Sequence, residues 1–361
     1  MPARRLRSAL PLALLAAGAA ACGSDGATGP GPQAPGRTYA MGFTAFPPRP
    51  ADTALIIRTI DLWAQRADTG LLLHEPPWEH LLRGEDAEAL VRANELGLAN
   101  YFRGKGLRIM ATIDATNGLD RAADAPGLQA LGRSLREPAV RDADVRYVGA
   151  FAAVIRPEYL SVASETNLVR AIAPAPLYDG LVDAARRAAA EARRVSPTTR
   201  VFTTIQVEVA WGRPAGPFAG VARDLADFPF TEVLGLSSFP FLGGFADPED
   251  LPLDYYSRLV AGTSLPVMVI EGGWPSAGVG GIASSPDEQR RYIERHVRLL
   301  DGARAIGYFQ ITFTDLDLAS IPQPPGSILP LFATLGLVDV NLAPKPALDV
   351  WDATFRRPYR P

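Results

Sequence analysis

The sequence predicts a single (β/α)₈ barrel, and three observations predict it. Eight short apolar or β-branched runs are each followed by a segment of helical period. The first strand runs into Met41-Gly42-Phe43-Thr44-Ala45-Phe46-Pro47-Pro48, which offers no glycine-rich loop to cradle a pyrophosphate. Two of the apolar runs end on a glutamate. Alternating strands and helices alone also fit an open doubly wound sheet. The missing phosphate loop and the count of eight favour the closed barrel, in which chemistry sits at the C-terminal ends of the strands.

Strands are expected near residues 39–46, 70–74, 107–114, 159–164, 200–207, 233–238, 266–271 and 305–313. Helices are expected near 52–66, 87–104, 139–155, 176–195, 218–228, 254–261, 286–300 and 345–355. In the clearest of them Leu181, Ala184, Ala185, Ala188, Ala189 and Ala192 recur at helical spacing, with Arg186, Arg187, Arg193 and Arg194 largely between them. Asp287 and Glu288 stand in the first turn after Ser285, as a capped helix start requires. Trp63 and Trp351 fall at apolar helix positions and read as packing residues. Arg108, on the third strand, fits either a surface charge or a buried ion-pair partner.

The ends of the chain read differently from its body. Residues 1–21 begin with Arg4, Arg5 and Arg7, continue in a short apolar run and stop before Cys22, the only cysteine. A basic start, an apolar stretch and small residues describe a secretory signal peptide. The run is too short to span a bilayer comfortably, which takes about 20 residues. With one cysteine, no disulfide forms within the chain. Residues 22–37 are rich in glycine, proline and small polar residues and read as a flexible tether. Residues 38–361 are left for the barrel, and no later segment is apolar enough to cross a membrane. Charge is nearly balanced, 36 basic against 39 acidic residues, without a basic stripe, so no nucleic-acid partner is expected.

The strand ends supply the candidate chemistry. The fourth strand reads Leu160-Ser161-Val162-Ala163-Ser164-Glu165, and the seventh reads Pro266-Val267-Met268-Val269-Ile270-Glu271. A buried strand gains nothing from a charge at its mouth unless the mouth has work for it. Two carboxylates across one cleft suit glycosidic bond cleavage: one protonates the leaving oxygen and the other attacks the anomeric carbon, about 5–5.5 Å apart in retaining enzymes.

On these residues the chain resembles the clan A retaining glycoside hydrolases, TIM barrels with the acid/base at the end of strand four and the nucleophile at the end of strand seven. Val233-Leu234-Gly235-Leu236-Ser237-Ser238-Phe239-Pro240-Phe241 is similar to the strand-six signature of arabinogalactan endo-β-1,4-galactanases. Glu271-Gly272-Gly273-Trp274-Pro275-Ser276 is similar to the run around the clan's nucleophile, and Gly336-Leu337-Val338-Asp339 with Pro344-Lys345-Pro346-Ala347-Leu348 resembles its entry to the last helix. The resemblance implies a retaining hydrolase of a β-linked poly- or oligosaccharide, with Glu165 as acid/base and Glu271 as nucleophile. Ser164 stands where the clan has Asn, Phe239 where it often has Tyr, and strand eight offers Tyr308, Phe309 and Phe313 where it usually ends in Trp. These departures leave open a non-catalytic glycan-binding lipoprotein on the same barrel.

Ala19-Ala20-Ala21-Cys22-Gly23-Ser24 likewise resembles the lipobox of bacterial lipoproteins, with Ala19 where many have Leu. The resemblance implies lipid on Cys22, a mature chain that starts there and a domain held at a membrane surface outside the cytoplasm. An ordinary signal peptide with an incidental cysteine is the alternative.

Further strand-end residues are candidate sugar contacts. Asp114 and Asn117 follow strand three, and either grip a hydroxyl or shape an Asp-Ala-Thr-Asn-Gly turn. His74 ends strand two and either binds substrate, with Trp78 beside it as a stacking wall, or is a solvated loop histidine. Gln206 ends strand five and Trp211 comes after it; Glu208 is a third cleft carboxylate or a surface charge. Trp274, after Glu271, reads as a sugar platform, with core filler as the alternative. The histidines His74, His80 and His296 show no metal-ligand spacing, and no Gly-x-Ser-x-Gly elbow is present, so neither metal, cofactor nor serine nucleophile is expected. A solute-binding lipoprotein would need two lobes and a hinge, which one run of eight units does not provide.

Overall fold

The computed structural model describes residues 35–361; the leader, Cys22 and most of the tether lie outside the described residues. Eight parallel strands close in chain order: β1 (Ala40–Thr44), β2 (Thr69–His74), β3 (Arg108–Ile113), β4 (Tyr159–Ser161), β5 (Arg200–Gln206), β6 (Leu234–Ser238), β7 (Val267–Gly272) and β8 (Gly307–Gln310). Pairing of β1 with β8 through Ala40–Gly307 and Phe43–Gln310 completes the ring. The predicted (β/α)₈ barrel is what forms.

Strand alternation sorts the side chains into two cores. On β7, Val267 and Val269 face the helices while Met268 and Ile270 point inward. Leu71, Met110, Phe202, Val233 and Phe309 join them inside the ring. The large rings need room: a Cβ at Gly42 would come within 2.7 Å of Phe309, and one at Gly235 equally close to Phe202. In the outer core Trp351 and Trp63 pack on Phe43 at 4.4 and 5.9 Å between ring centroids, as helix positions with apolar neighbours should.

Several boundaries differ from expectation for local reasons. The helix expected over 87–104 is two, Ala87–Asn94 and Leu96–Gly104, broken at Glu95, whose carboxylate turns inward to His74 and Tyr147. The segment 254–261 holds only a 3₁₀ turn, Ser257–Val260, and 218–228 contracts to Ala222–Asp227. Short helices Trp78–Leu82, Pro126–Ala130, Thr166–Ile172 and Val207–Ala210 sit in strand-to-helix loops, too short to leave a period in the sequence. Arg37, read as tether, belongs to the barrel: its guanidinium pairs with Asp68 at 2.7 Å and its backbone bonds Pro358 and Arg360. Arg108 meets Tyr359 at this same N-terminal end of the barrel, half-buried rather than wholly exposed.

Candidate active site

Glu165 and Glu271 line one cleft of about 590 Å³ at the C-terminal mouth of the barrel. The chain leaves β4 three residues earlier than expected and bends to place Glu165 just before the helix Thr166–Ile172. There Glu165 takes a left-handed backbone (φ 46°, ψ 46°), which costs a non-glycine residue roughly 1–3 kcal/mol. The surroundings hold it. Its N–H donates to Thr204 Oγ1 at 2.8 Å, and its carbonyl accepts from the N–H groups of Leu168 and Val169. Asn167 and Gln206 exchange two 2.8 Å bonds between side-chain amide and backbone, tying this bend to the end of β5.

Glu271 reaches the same cleft by another device. With Ile270 pointing inward, simple alternation would send Glu271 out towards the helices. The pairing of β6 with β7 skips a residue at this point, from Leu236–Val269 to Ser237–Glu271. The bulge turns Glu271 back into the mouth, as bulges beside active sites do. Ser237 Oγ donates to its carboxylate at 3.4 Å.

The charge around the two differs sharply. Arg121, from the loop after β3, is buried; its Nε donates to Glu165 at 2.8 Å and its Nη1 to Asp114 at 2.6 Å. Burial works against this cation, but the charges of Asp114 and Glu165 outweigh it and hold the guanidinium above its usual range. Glu271 has no such partner. Burial, then the negative charge of Glu165, push its carboxyl up to about 8. Burial therefore favours the protonated form of Glu271, while Glu165 is ion-paired with Arg121.

Other expected residues divide into those in the cleft and those behind it. Asp114 lines it and also braces the loop, accepting from Thr116. Asn117 lines it while capping the turn through Leu119 and Asp120, so the turn reading holds and both side chains stand at the cleft. His74 lines it, with Nε2 2.8 Å from a Glu95 oxygen. Gln206 lines it, held by Val209 N–H at 2.7 Å and by Glu208 at 2.5 Å. Phe239 lines it edge-on to Phe332. Ser164 is buried beside Glu165 with no partner for its hydroxyl. Glu208 is neither an open cleft carboxylate nor a surface charge: it is buried, accepts from Tyr255 at 2.7 Å, and burial pushes it up to about 7.

The three tryptophans expected at the cleft, Trp78, Trp211 and Trp274, all need correction. Trp274 is fully buried, stacked on Tyr292 at 5.4 Å with Nε1 donating to Ser284 Oγ; it fills the outer core. Trp78 turns into the core, and Glu75 stands in the lining instead, its carboxylate held by Gly127 N–H at 2.8 Å. Trp211 stacks on Tyr255 at 5.2 Å and donates to that residue's carbonyl, away from the cleft. The residues that sequence reasoning missed are Arg121, Ser237 and Asn167. A signal for the first existed: Arg121 is the lone cation of residues 114–125, among Asp114, Asp120 and Asp124.

No family model and no curated protein matches the sequence. Solved structures do. An exo-β-1,4-mannosidase, Op5Man5 from Opitutaceae bacterium strain TAV5, superposes with a TM-score of 0.66 at 18% identity, over 89% of this chain and 60% of that one. A GH5_18 protein from Streptomyces cattleya, in complex with GlcNAc, gives 0.62 at 17% identity, over 90% and 83%. A β-glucuronidase from Bacteroides uniformis gives 0.59 at 16% identity, over 88% and 35%. The (β/α)₈ barrel fold is shared with these structures. The chain spans 60% of the mannosidase and about a third of the glucuronidase, 35%. The finer likeness to endo-galactanases stays a reading of residues 233–241 and 271–276.

Proposed function

We propose that this protein hydrolyses a β-linked glycoside by double displacement, with Glu165 as acid/base and Glu271 as nucleophile. The observation that supports this most directly is the convergence of the two glutamates, from the ends of β4 and β7, in one cleft at the barrel mouth. Glu165 gives its proton to the leaving oxygen as Glu271 attacks the anomeric carbon. Water then cleaves the glycosyl ester, and Glu165 takes back a proton. The arriving sugar has to draw Glu165 off Arg121, and the proton shared by the pair has to pass from Glu271 to Glu165. Glu271→Ala should abolish hydrolysis of aryl β-glycosides, and azide should restore part of it with a product of inverted configuration. Rescue of Glu165→Ala by azide, with such a product, would instead reverse the two roles.

A non-catalytic glycan-binding protein on the same barrel is the second reading. The Arg121–Glu165 pair favours it, since the guanidinium engages the carboxyl group that hydrolysis needs free for the leaving oxygen. Phe239, which offers Glu271 no hydroxyl, favours it too. Wild-type protein that binds β-glycans yet cleaves neither them nor aryl glycosides would establish it.

We also propose export and lipid anchoring at a bacterial membrane through Cys22, with the barrel outside the cytoplasm; the support is the sequence of residues 1–24. Cys22→Ala should move the protein into the soluble fraction. A variant that stays on membranes, with a native N-terminus elsewhere, overturns this.

A further inference from the structure

We infer that the glycoside taken by this cleft carries an apolar aglycone, an alkyl chain or a group of like character, bound against an aliphatic wall above the carboxylates. This rests on the reading of Glu165 and Glu271 as the reacting pair. The cleft is built in two parts. Its polar groups cluster where the strands end, as Asp114, Glu165, Gln206 and Glu271, and in the loops after β2 and β3, as Glu75, Asn117, Asp120 and Arg121. Its loops contribute chiefly apolar side chains. Leu168 and Ile172 stand four apart, on one face of the helix that Glu165 begins. Ile328, Leu329 and Phe332 come from the segment after β8, and Phe332 packs edge to face on Phe239 at 5.1 Å.

Single exposed apolar residues are ordinary on a protein surface; clustering is not. Six large apolar side chains stand open to solvent among the described residues, and three line this cleft: Ile172 at 50%, Leu119 at 40% and Ile328 at 40% exposure. None of the tryptophans or tyrosines lines it. A polysaccharide would bring hydroxyls along the whole wall. Aliphatic side chains cannot pair with them, and burying an unpaired hydroxyl is costly. One sugar at the strand ends finds partners; the group attached to it, lying along the wall, gains by being apolar. A cleft of about 590 Å³ suits a ligand of that combined size.

The test compares methyl and n-octyl β-D-glycosides of mannose, glucose, galactose and glucuronic acid, below micelle-forming concentrations. Cleavage is monitored with wild-type protein, and binding by calorimetry with Glu271→Ala. Burial gives about three- to fourfold per CH₂, so the octyl probe should exceed the methyl probe by at least about a hundredfold in kcat/KM. In Ile172→Ser and Leu329→Ser that ratio should collapse; the first alters a half-exposed side chain and leaves the core intact. Equal treatment of both probes, with cleavage, overturns the inference and leaves the hydrolase reading standing. An octyl preference that survives both variants also overturns it, since the chain then lies elsewhere. Selective octyl binding that the variants abolish, without cleavage of any glycoside, supports the apolar site and sinks hydrolysis.

Discussion

The ends of β4 and β7 present the same residue type to the same cleft and treat it in opposite ways. Glu165 sits on a left-handed bend fixed by Thr204 and by the helix it begins, with Arg121 on its carboxylate. Glu271 sits on a strand bulge with one hydroxyl, that of Ser237, at 3.4 Å. The first is strained and ion-paired; the second is less strained and desolvated. Acid/base assignments in a carboxylate pair come from such environments rather than from residue identity. Here burial favours the proton on Glu271, while Arg121 pairs with Glu165.

The comparison can be broken or sharpened by substitution. After loss of the nucleophile itself, the largest effect is expected at Glu165. Glu165→Ala should slow glycosides with poor leaving groups by about 10²–10⁴-fold and leave activated aryl glycosides far less affected. Equal losses on both, measured as kcat/KM across leaving groups, would remove it as the acid. Next comes Arg121→Ala, which strands the buried carboxylates of Asp114 and Glu165. Denaturant unfolding should show a loss of about 3–5 kcal/mol, partly restored by Arg121→Lys. An unchanged midpoint would mean that the pair contributes nothing.

Glu271 gives the third effect. In the unfolded chain it loses its proton near the ordinary 4.5, while in the folded protein it keeps it up to about 8. Between those values the folded state binds the extra proton. Its contribution to stability therefore falls as pH rises through the window and levels off above it. Glu271→Gln cannot titrate. It should gain on wild type as pH rises from 5 to 8, by on the order of a few kcal/mol at the upper end. A wild-type-minus-variant difference flat with pH would contradict the burial of the charge. The smallest effect is expected at Trp274. Trp274→Phe should cost about 0.5–3 kcal/mol in stability with KM unchanged, because the ring packs on Tyr292 and not on a sugar. A raised KM with native stability would restore the platform reading.

Legibility in the chain depends on where information about direction resides. Barrel strands are buried on both faces, so β7 stands out as a continuous apolar run, and the glutamate near its end is conspicuous. The helix over Ala175–Val195 shows itself by its alanine stripe. The direction of Glu271 was not legible, because it depends on a bulge against β6 that only pairing reveals. Trp274 misled because adjacency to Glu271 in sequence does not fix the side on which a ring lies. Arg121 acts on Glu165 across 44 residues, so its role was hidden by separation. The aliphatic wall comes from loops that carry no period of their own, such as the segment around Ile328 and Leu329.

Double displacement at Glu271 leaves a stereochemical record in the product. Proton NMR of a β-glycoside digest, read within the first minutes before mutarotation, shows which anomer is released first. Attack by Glu271 and then by water predicts the β-hemiacetal, with retention. Release of the α-hemiacetal first, by direct attack of water, would contradict the covalent role of Glu271 and with it the mechanism proposed for this cleft.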